Sequence, residues 1–274
     1  MAKTDYGVSH LSGEGGYVFD TAGQEAAARF DALASMFDSQ TMRHIEQRDI
    51  RQGWDCLEIG GGGGSIAAWL AGRVGPAGHV LATDIDTRFL ETLNHPNLEA
   101  RRHDIVQDPL PEAAFDLVHE RLVLMHLPEP RKALEKIVAA LRPGGWLVVE
   151  EFDTVSAPPD PEINPGEVKL KTTLALRQVM HERGVKLSYG RLLCGELRAI
   201  GLADVESDGR VVMCQGGSAG ASLVRANQEQ LRSEILETGL VTEREFEMDL
   251  ARLNEPEYLA PSPMMWSAWG RRQA

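Results

Sequence analysis

Cys56-Leu57-Glu58-Ile59-Gly60-Gly61-Gly62-Gly63-Gly64-Ser65 is the stretch on which the fold turns. A short apolar run with one acid ends in five glycines. Ser65 then leads into the apolar Ile66-Ala67-Ala68-Trp69-Leu70. The reading is a buried strand that turns sharply into a helix. Glycine permits positive φ, and its missing Cβ lets a ligand approach the main chain. Open parallel sheets bind ligands just beyond the carboxyl ends of their strands. The turn is therefore placed to hold a nucleotide-like cofactor.

Outward from this turn, short apolar runs alternate with helical stretches. Strands are expected at 55–59, 79–83, 98–102, 115–119 and 145–151, and helices at 64–73, 86–94 and 130–141. Strands separated by helices imply a parallel sheet with right-handed crossovers. Gly75-Pro76 and Arg142-Pro143-Gly144-Gly145 punctuate helix-to-strand turns. Upstream, residues 1–19 read as a polar lead-in. Thr21 and Gln24 have capping-box spacing before a helix that carries Phe30, Leu33 and Phe37 on one face. A second short helix carries Met42 and Ile45. Downstream, a proline-rich connector at 154–166 precedes helices at 167–183 and 189–200, closed by Gly184 and Gly201. A strand at 203–214, a helical stretch at 220–253 and a last strand at 263–270 complete the chain.

The 274 residues are 43% hydrophobic and 25% charged, which suits a globular chain with a real core. The net charge of −13 repels phosphate backbones and anionic lipid. General nucleic-acid or membrane-surface binding is disfavoured, leaving only a local basic groove as an exception. Cys56, Cys194 and Cys214 are odd in number and form no CxxC pair, so neither a disulfide framework nor a cysteine zinc site is expected. Small buried thiols in a reducing compartment are the ordinary reading, and a reactive thiol is the rarer one. Residues 1–13 hold no apolar stretch resembling a signal peptide, and no run of ~18 apolar residues occurs. A cytoplasmic protein is expected.

The cofactor class follows from the turn's chemistry. A Walker A loop needs Lys followed by Ser or Thr, and none is present. Gly62, Gly64 and Ala67 match a dinucleotide fingerprint, but five consecutive glycines match many patterns. Glu58 discriminates. A carboxylate at the strand end suits a cationic ligand and opposes a pyrophosphate. S-adenosylmethionine carries an ammonium and a sulfonium, so the sign of charge favours it over NAD(P). An NAD(P)-dependent oxidoreductase stays as the alternative.

The motifs then fall in a familiar order. They are Glu58-x-Gly60-x-Gly62-x-Gly64, Val80-Leu81-Ala82-Thr83-Asp84-Ile85-Asp86, His103-Asp104-Ile105, Phe115-Asp116-Leu117-Val118 and Leu141-Arg142-Pro143-Gly144-Gly145-Trp146-Leu147. In these the chain resembles the class I S-adenosylmethionine-dependent methyltransferases, strongly over 50–153. It is most similar to the small-molecule branch that includes quinone-biosynthesis and natural-product enzymes. His119-Glu120-Arg121-Leu122 stands where amino-methyltransferases carry an Asp/Asn-Pro-Pro-aromatic motif, which argues against that branch. The resemblance implies an α/β, Rossmann-like class I methyltransferase fold. Its sheet is seven-stranded and mostly parallel, with a reversed final strand and helical lid additions. It also implies four segments: N-terminal lid helices at 1–49, a cofactor-binding core at 50–153, a lid insertion at 154–190, and sheet completion with added helices at 191–274.

By the same resemblance, main chain at Gly60, Gly61 and Gly62 holds the methionine moiety, with Glu58 toward its ammonium. Asp84 accepts from the ribose hydroxyls, and Ile85 packs on the adenine. In the third motif, with His103, Asp104 accepts from the adenine amino group and Ile105 main chain faces the ring edge. Main chain at Glu120 and Arg121 closes the methionine pocket. Alternatives stay open: Asp84 could cap the next helix, Asp104 could be a loop acid, and Glu58 could pair with a nearby cation.

Methyl transfer from a sulfonium mainly demands acceptor positioning and water exclusion. Where the acceptor must lose a proton, His126 is the candidate base, since it follows the fourth strand and can titrate near neutrality; packing in the following helix is its rival role. His119, inside the strand, reads as a packing residue. Glu150, Glu151 and Asp153 end the fifth strand and could contact a cationic acceptor, act as base, hold Mg²⁺, or simply be solvated. No metal site is assigned. Tyr17, Phe37, Arg177 and Met180 are the expected acceptor contacts on the lids. The partner is a small molecule, and a homodimer is left open.

Overall fold

The computed structural model describes residues 24–156 and 167–273. Tyr17, Thr21 and the lead-in over 1–19 lie outside the described residues.

The central sheet has seven strands in the order β3-β2-β1-β4-β5-β9-β6. These are β1 (Asp55–Ile59), β2 (His79–Asp84), β3 (Leu98–Arg102), β4 (Phe115–Arg121), β5 (Leu141–Asp153), β6 (Ala203–Arg210) and β9 (Met264–Arg271). β1 to β5 pair in parallel, and β9 runs antiparallel between β5 and β6. This is the Rossmann-like class I methyltransferase arrangement that the motif order implied, with the penultimate position in space taken by the reversed last strand.

Strand periodicity sorts the core. Cys56, Leu117, Val148 and Trp269 face one side and pack with Ile45 of α1 (Gln24–Glu46) and Ile66, Leu70 and Val74 of α2 (Ser65–Val74). Leu57, Val118, Leu147 and Val149 face the other side. There they meet Leu134 and Ile137 of α3 (Pro130–Ala140), Val179 of α4 (Glu167–Glu182) and Leu197 of α5 (Leu193–Ala199). α2 begins directly after Gly64, whose φ of 81° makes the abrupt reversal out of the turn.

Four local expectations are corrected. The two N-terminal helices are one 23-residue helix, α1, because no glycine or proline interrupts 24–46. The helix expected at 86–94 is only a 3₁₀ turn at Leu90–Thr92. Asp84 accepts from the Asp86 N–H and Asp86 from the Arg88 N–H, and such side-chain bonds compete with a helix start. The strand expected at 203–214 breaks after β6. The main chain at Val212 exchanges bonds with Ser262, and β7 (Met213–Gln215) pairs with β8 (Leu259–Pro261) in a separate ribbon. The stretch at 220–253 is three helices: α6 (Ala219–Gln230), α7 (Arg232–Glu237) and α8 (Glu243–Arg252). Ser218 caps α6, and a Thr242–Glu245 capping box starts α8. α1 packs along α6, so the first helix roofs the carboxyl end of the sheet together with the last ones.

Candidate functional site

A cavity of about 310 Å³ opens at the carboxyl ends of β1, β2 and β3. Glu58, Asp84 and Asp104 stand along it. They come from or just after successive strands, whose neighbours in a sheet are about 4.8 Å apart. Gly60, Gly61 and Gly62 form the floor beside Glu58. Ile85, His103 and Ile105 line the far part, and Arg121 the near part. The structure thus gathers every expected cofactor residue here except Glu120.

The glycine turn is packed as well as open. Gly60 has φ +66°, and a Cβ there would lie 2.2 Å from Val123 Cγ2. Gly62 has φ +50°, and a Cβ would lie 2.9 Å from Phe30 Cε1. The bare backbone admits side chains of α1 and the post-β4 turn, which the sequence reading did not foresee. The Gly62 N–H donates to Asp84 Oδ2 at 2.9 Å. Asp84 Oδ1 accepts from Asp86 N–H at 3.1 Å, and burial raises its carboxyl above the ordinary range. The helix-cap alternative for Asp84 fails because no α-helix starts there. Asp104 Oδ1 accepts from the Val106 N–H at 2.8 Å. Ile85 is 46% exposed, a bare apolar face on the cavity, whereas Ile105 is buried.

Glu58 has a buried partner. Its Oε2 lies 2.7 Å from His119 Nδ1, and His119 Nε2 lies 3.6 Å from Glu150 Oε2. Burial opposes charge on His119, but the two carboxylates outweigh it and lift its pKa to about 9. Glu150 also accepts from Thr41 of α1 and, at 2.6 Å, from Ser267 of β9. Burial works against its ionisation, yet His119 and His44 hold its carboxyl well below the usual range. His119 is therefore a charged link rather than a packing residue.

Glu120 points to the opposite face of the sheet and does not line the cavity. It is fully buried with Glu151. Burial and then Glu151 push the Glu120 carboxyl well up, and burial lifts Glu151 to about 8. Glu120 Oε2 accepts from the Val123 N–H and Glu151 Oε1 from the Met125 N–H, so the pair underpins the 122–127 turn. Asp153 accepts from Ser156 and from Arg191. Glu150, Glu151 and Asp153 are at most 1% exposed, which corrects their reading as solvated strand-end acids.

A second cavity, of about 190 Å³, adjoins the first and shares Leu33, Leu122 and His126 with it. Arg177 and Met180 of α4, two of the expected acceptor contacts, line this cavity. Phe37 does not. It is 1% exposed, with its ring centroid 5.6 Å from that of Phe152, while Leu33 and Met36 take the cavity face of α1. The helical period located the apolar stripe but not which edge meets the cavity. Tyr17 lies outside the described residues. Arg29 of α1 and Asn227 and Gln228 of α6 also line this cavity, and no motif announced them. His126 ends a 3₁₀ turn at Leu124–His126. Burial and then Arg29 press its pKa down to about 4, so its imidazole is neutral at neutral pH.

With this geometry in view, comparison with known proteins is direct. The methyltransferase domain family matches residues 57–149. The chain is 32% identical over 173 residues to methyltransferase str2 of Strobilurus tenacellus, covering 63% of this chain and 62% of that protein. It is 32% identical over 143 residues to the ubiquinone/menaquinone biosynthesis C-methyltransferase UbiE of Bordetella avium, covering 48% of this chain and 56% of that protein. The chain thus spans less than two thirds of the length of either relative. Haemonchus contortus phosphoethanolamine N-methyltransferase 2, solved with phosphomonomethylethanolamine and S-adenosylhomocysteine, superposes with a TM-score of 0.56 at 16% identity. That likeness covers 91% of this chain and 57% of that one, and speaks for the fold. Nothing in these comparisons supports the oxidoreductase alternative. Residues 57–149 thus match the methyltransferase domain family, and in motif order and sheet topology the chain is similar to the class I S-adenosylmethionine-dependent methyltransferases.

Proposed function

We propose that the chain transfers the methyl group of S-adenosylmethionine to a small-molecule acceptor. The observation that carries this reading is the contact of two cavities through His126, Leu33 and Leu122, one cavity lined by four acids and the glycine turn and the other largely apolar. The glycine main chain and Glu58 would hold the amino-acid end, Asp84 the ribose, and Asp104 with Ile85 and Ile105 the adenine. The first cavity's acids fit a cationic donor and repel a diphosphate. Bound there, S-adenosylmethionine supplies an electrophilic methyl on a cationic sulfur.

This chain's own residues then position and shield the acceptor. Leu33 and Leu122 form an apolar neck that excludes water between donor and acceptor. His126, neutral at neutral pH, takes a proton from the acceptor where its chemistry requires one. Arg29, beside it, favours a developing negative charge on the acceptor atom. α1 from the N-terminal segment and α4 from the 154–190 segment act as lids over the 50–153 core, with 191–274 completing the sheet and the acceptor wall. The acidic surface supports a free metabolite over a nucleic acid as acceptor, and three free thiols support a cytoplasmic setting. Among the described residues no helix is long and apolar enough to cross a membrane.

Calorimetry tests the donor. S-adenosylhomocysteine is expected to bind with micromolar affinity and NADH not at all; the reverse result overturns the reading. Turnover of a metabolite library with methyl-labelled donor then identifies acceptors, and tight donor binding with no turnover on any of them would point to a non-catalytic cofactor protein.

A further inference from the structure

The acceptor cavity carries a pair of neighbouring amide side chains on α6, Asn227 and Gln228. Gln228 of α6 lines it and is only 3% exposed. Its Nε2 donates to Asp249 Oδ2 of α8 at 3.2 Å. A carboxylate only accepts, so this bond fixes the orientation of the amide and turns Oε1 away from Asp249. Gln228 Oε1 is buried with no hydrogen-bond donor among the described residues, and so is Oδ1 of its neighbour Asn227, which lines the same cavity. A buried acceptor oxygen without a donor costs roughly a full desolvation penalty, so both oxygens are poised for a ligand that donates.

The size of the cavity bounds that ligand. An apolar cavity of about 150 Å³ accommodates benzene, and this one holds about 190 Å³. A single ring with a small substituent fills it. The surrounding wall is apolar, with Met36, Met125, Leu176, Met180 and Leu223 among its residues. The two arginines that line the cavity are engaged: Arg29 donates to Gln230 of α6, and Arg177 donates to the Thr154 carbonyl.

We propose that Asn227 and Gln228 form a recognition site for a hydrogen-bond-donating group, a hydroxyl or amine, on the far end of a single-ring or comparably small apolar acceptor whose methylated atom lies at His126. This rests on the methyltransferase reading for its direction: the donor cavity defines which end reacts. A carboxylate or phosphate at the far end would bring acceptor oxygens against acceptor oxygens and is rejected.

Calorimetry on the full chain, with and without saturating S-adenosylhomocysteine, uses three probes: 4-hydroxybenzyl alcohol, its near-isostere 4-ethylphenol, and 4-hydroxybenzoate. The alcohol is expected to bind roughly tenfold tighter than either of the others, as a site built to bond a hydroxyl rejects its hydroxyl-free analogue. Gln228→Leu and Asn227→Leu are each expected to erase most of that preference while S-adenosylhomocysteine binding is unchanged. Asn227 is only half-buried, so its variant keeps the test alive if Gln228→Leu melts early by circular dichroism. Tightest binding by 4-hydroxybenzoate, binding of no probe, or a preference untouched by either substitution overturns the proposal. Failure to bind S-adenosylhomocysteine instead overturns the donor reading, since the probe titrations without it are scored separately.

Discussion

His119 Nδ1 of β4 lies 2.7 Å from Glu58 Oε2 of β1, and neither side chain is more than 4% exposed. The acid that borders the glycine turn is thus joined to Glu150 and, through Thr41, to α1. The charge on His119 thus sits between two acids beside the donor cavity.

His119→Gln should remove the charge that compensates two buried acids and destabilise the protein by about 3–5 kcal/mol. The folded-state pKa near 9 exceeds the unfolded value of 6.5, so the stabilisation is complete below about pH 6.5 and is lost as pH rises through 9. Urea unfolding from pH 6 to 10 should show this slope in the wild type and a flatter one in the variant. Equal slopes would show that no proton is held at His119.

Glu120→Gln should stabilise the protein in alkali. The Glu151 carboxyl, lifted to about 8, contributes most below about pH 4.5, and that contribution drains as pH rises to 8. Burial and then Glu151 hold the Glu120 carboxyl well up in the same way, and Gln cannot ionise, so the substitution should recover at least about 1 kcal/mol, the equivalent of roughly one pKa unit. Thermal melts at pH 8.5 check this. A lower melting temperature in the variant would contradict a cost of ionising the buried Glu120.

On the proposed reading, Asp84→Ala should weaken S-adenosylhomocysteine binding by about 1–3 kcal/mol, because it would leave ribose hydroxyls as well as the Gly62 N–H without an acceptor. Calorimetry reads the change directly. Unaltered affinity would remove Asp84 from the site.

His126→Ala should lower turnover with little change in donor affinity. Because its pKa is pressed to about 4, the wild-type rate should stay level from pH 6 to 8 and fall only as pH drops toward 4. A rate that already declines below pH 6.5, or a variant as fast as wild type, would leave His126 a positioning residue at most.

Gly60→Ala should be harmful on two counts: φ is +66°, and the new Cβ would meet Val123 Cγ2 at 2.2 Å. A loss of about 1–3 kcal/mol from backbone strain is expected, with overpacking added. Gly60→Ala with Val123→Ala should recover only the packing part, which thermal unfolding of the single and double variants can separate.

The strand–helix alternation apart from the helix expected at 86–94, the glycine turn and the places of Glu58, Asp84 and Asp104 were legible in the sequence. Each is written in contiguous residues whose period and turn chemistry fix local structure. The sequence also set the direction of the sheet, since strands joined by helical crossovers run parallel. What surrounds those residues was not legible. Glu58 and His119 are 61 positions apart and meet only because β1 and β4 pair in one register. Glu120 left the donor cavity for Glu151 because alternate strand residues face opposite sides of the sheet. Phe37 gave its expected place to Leu33 and Met36 because the rotation of α1 about its axis is set by packing against α6, and Asn227 and Gln228 reached the acceptor cavity the same way. Local pattern decides which elements form, and long-range register and packing decide which side chains share a space.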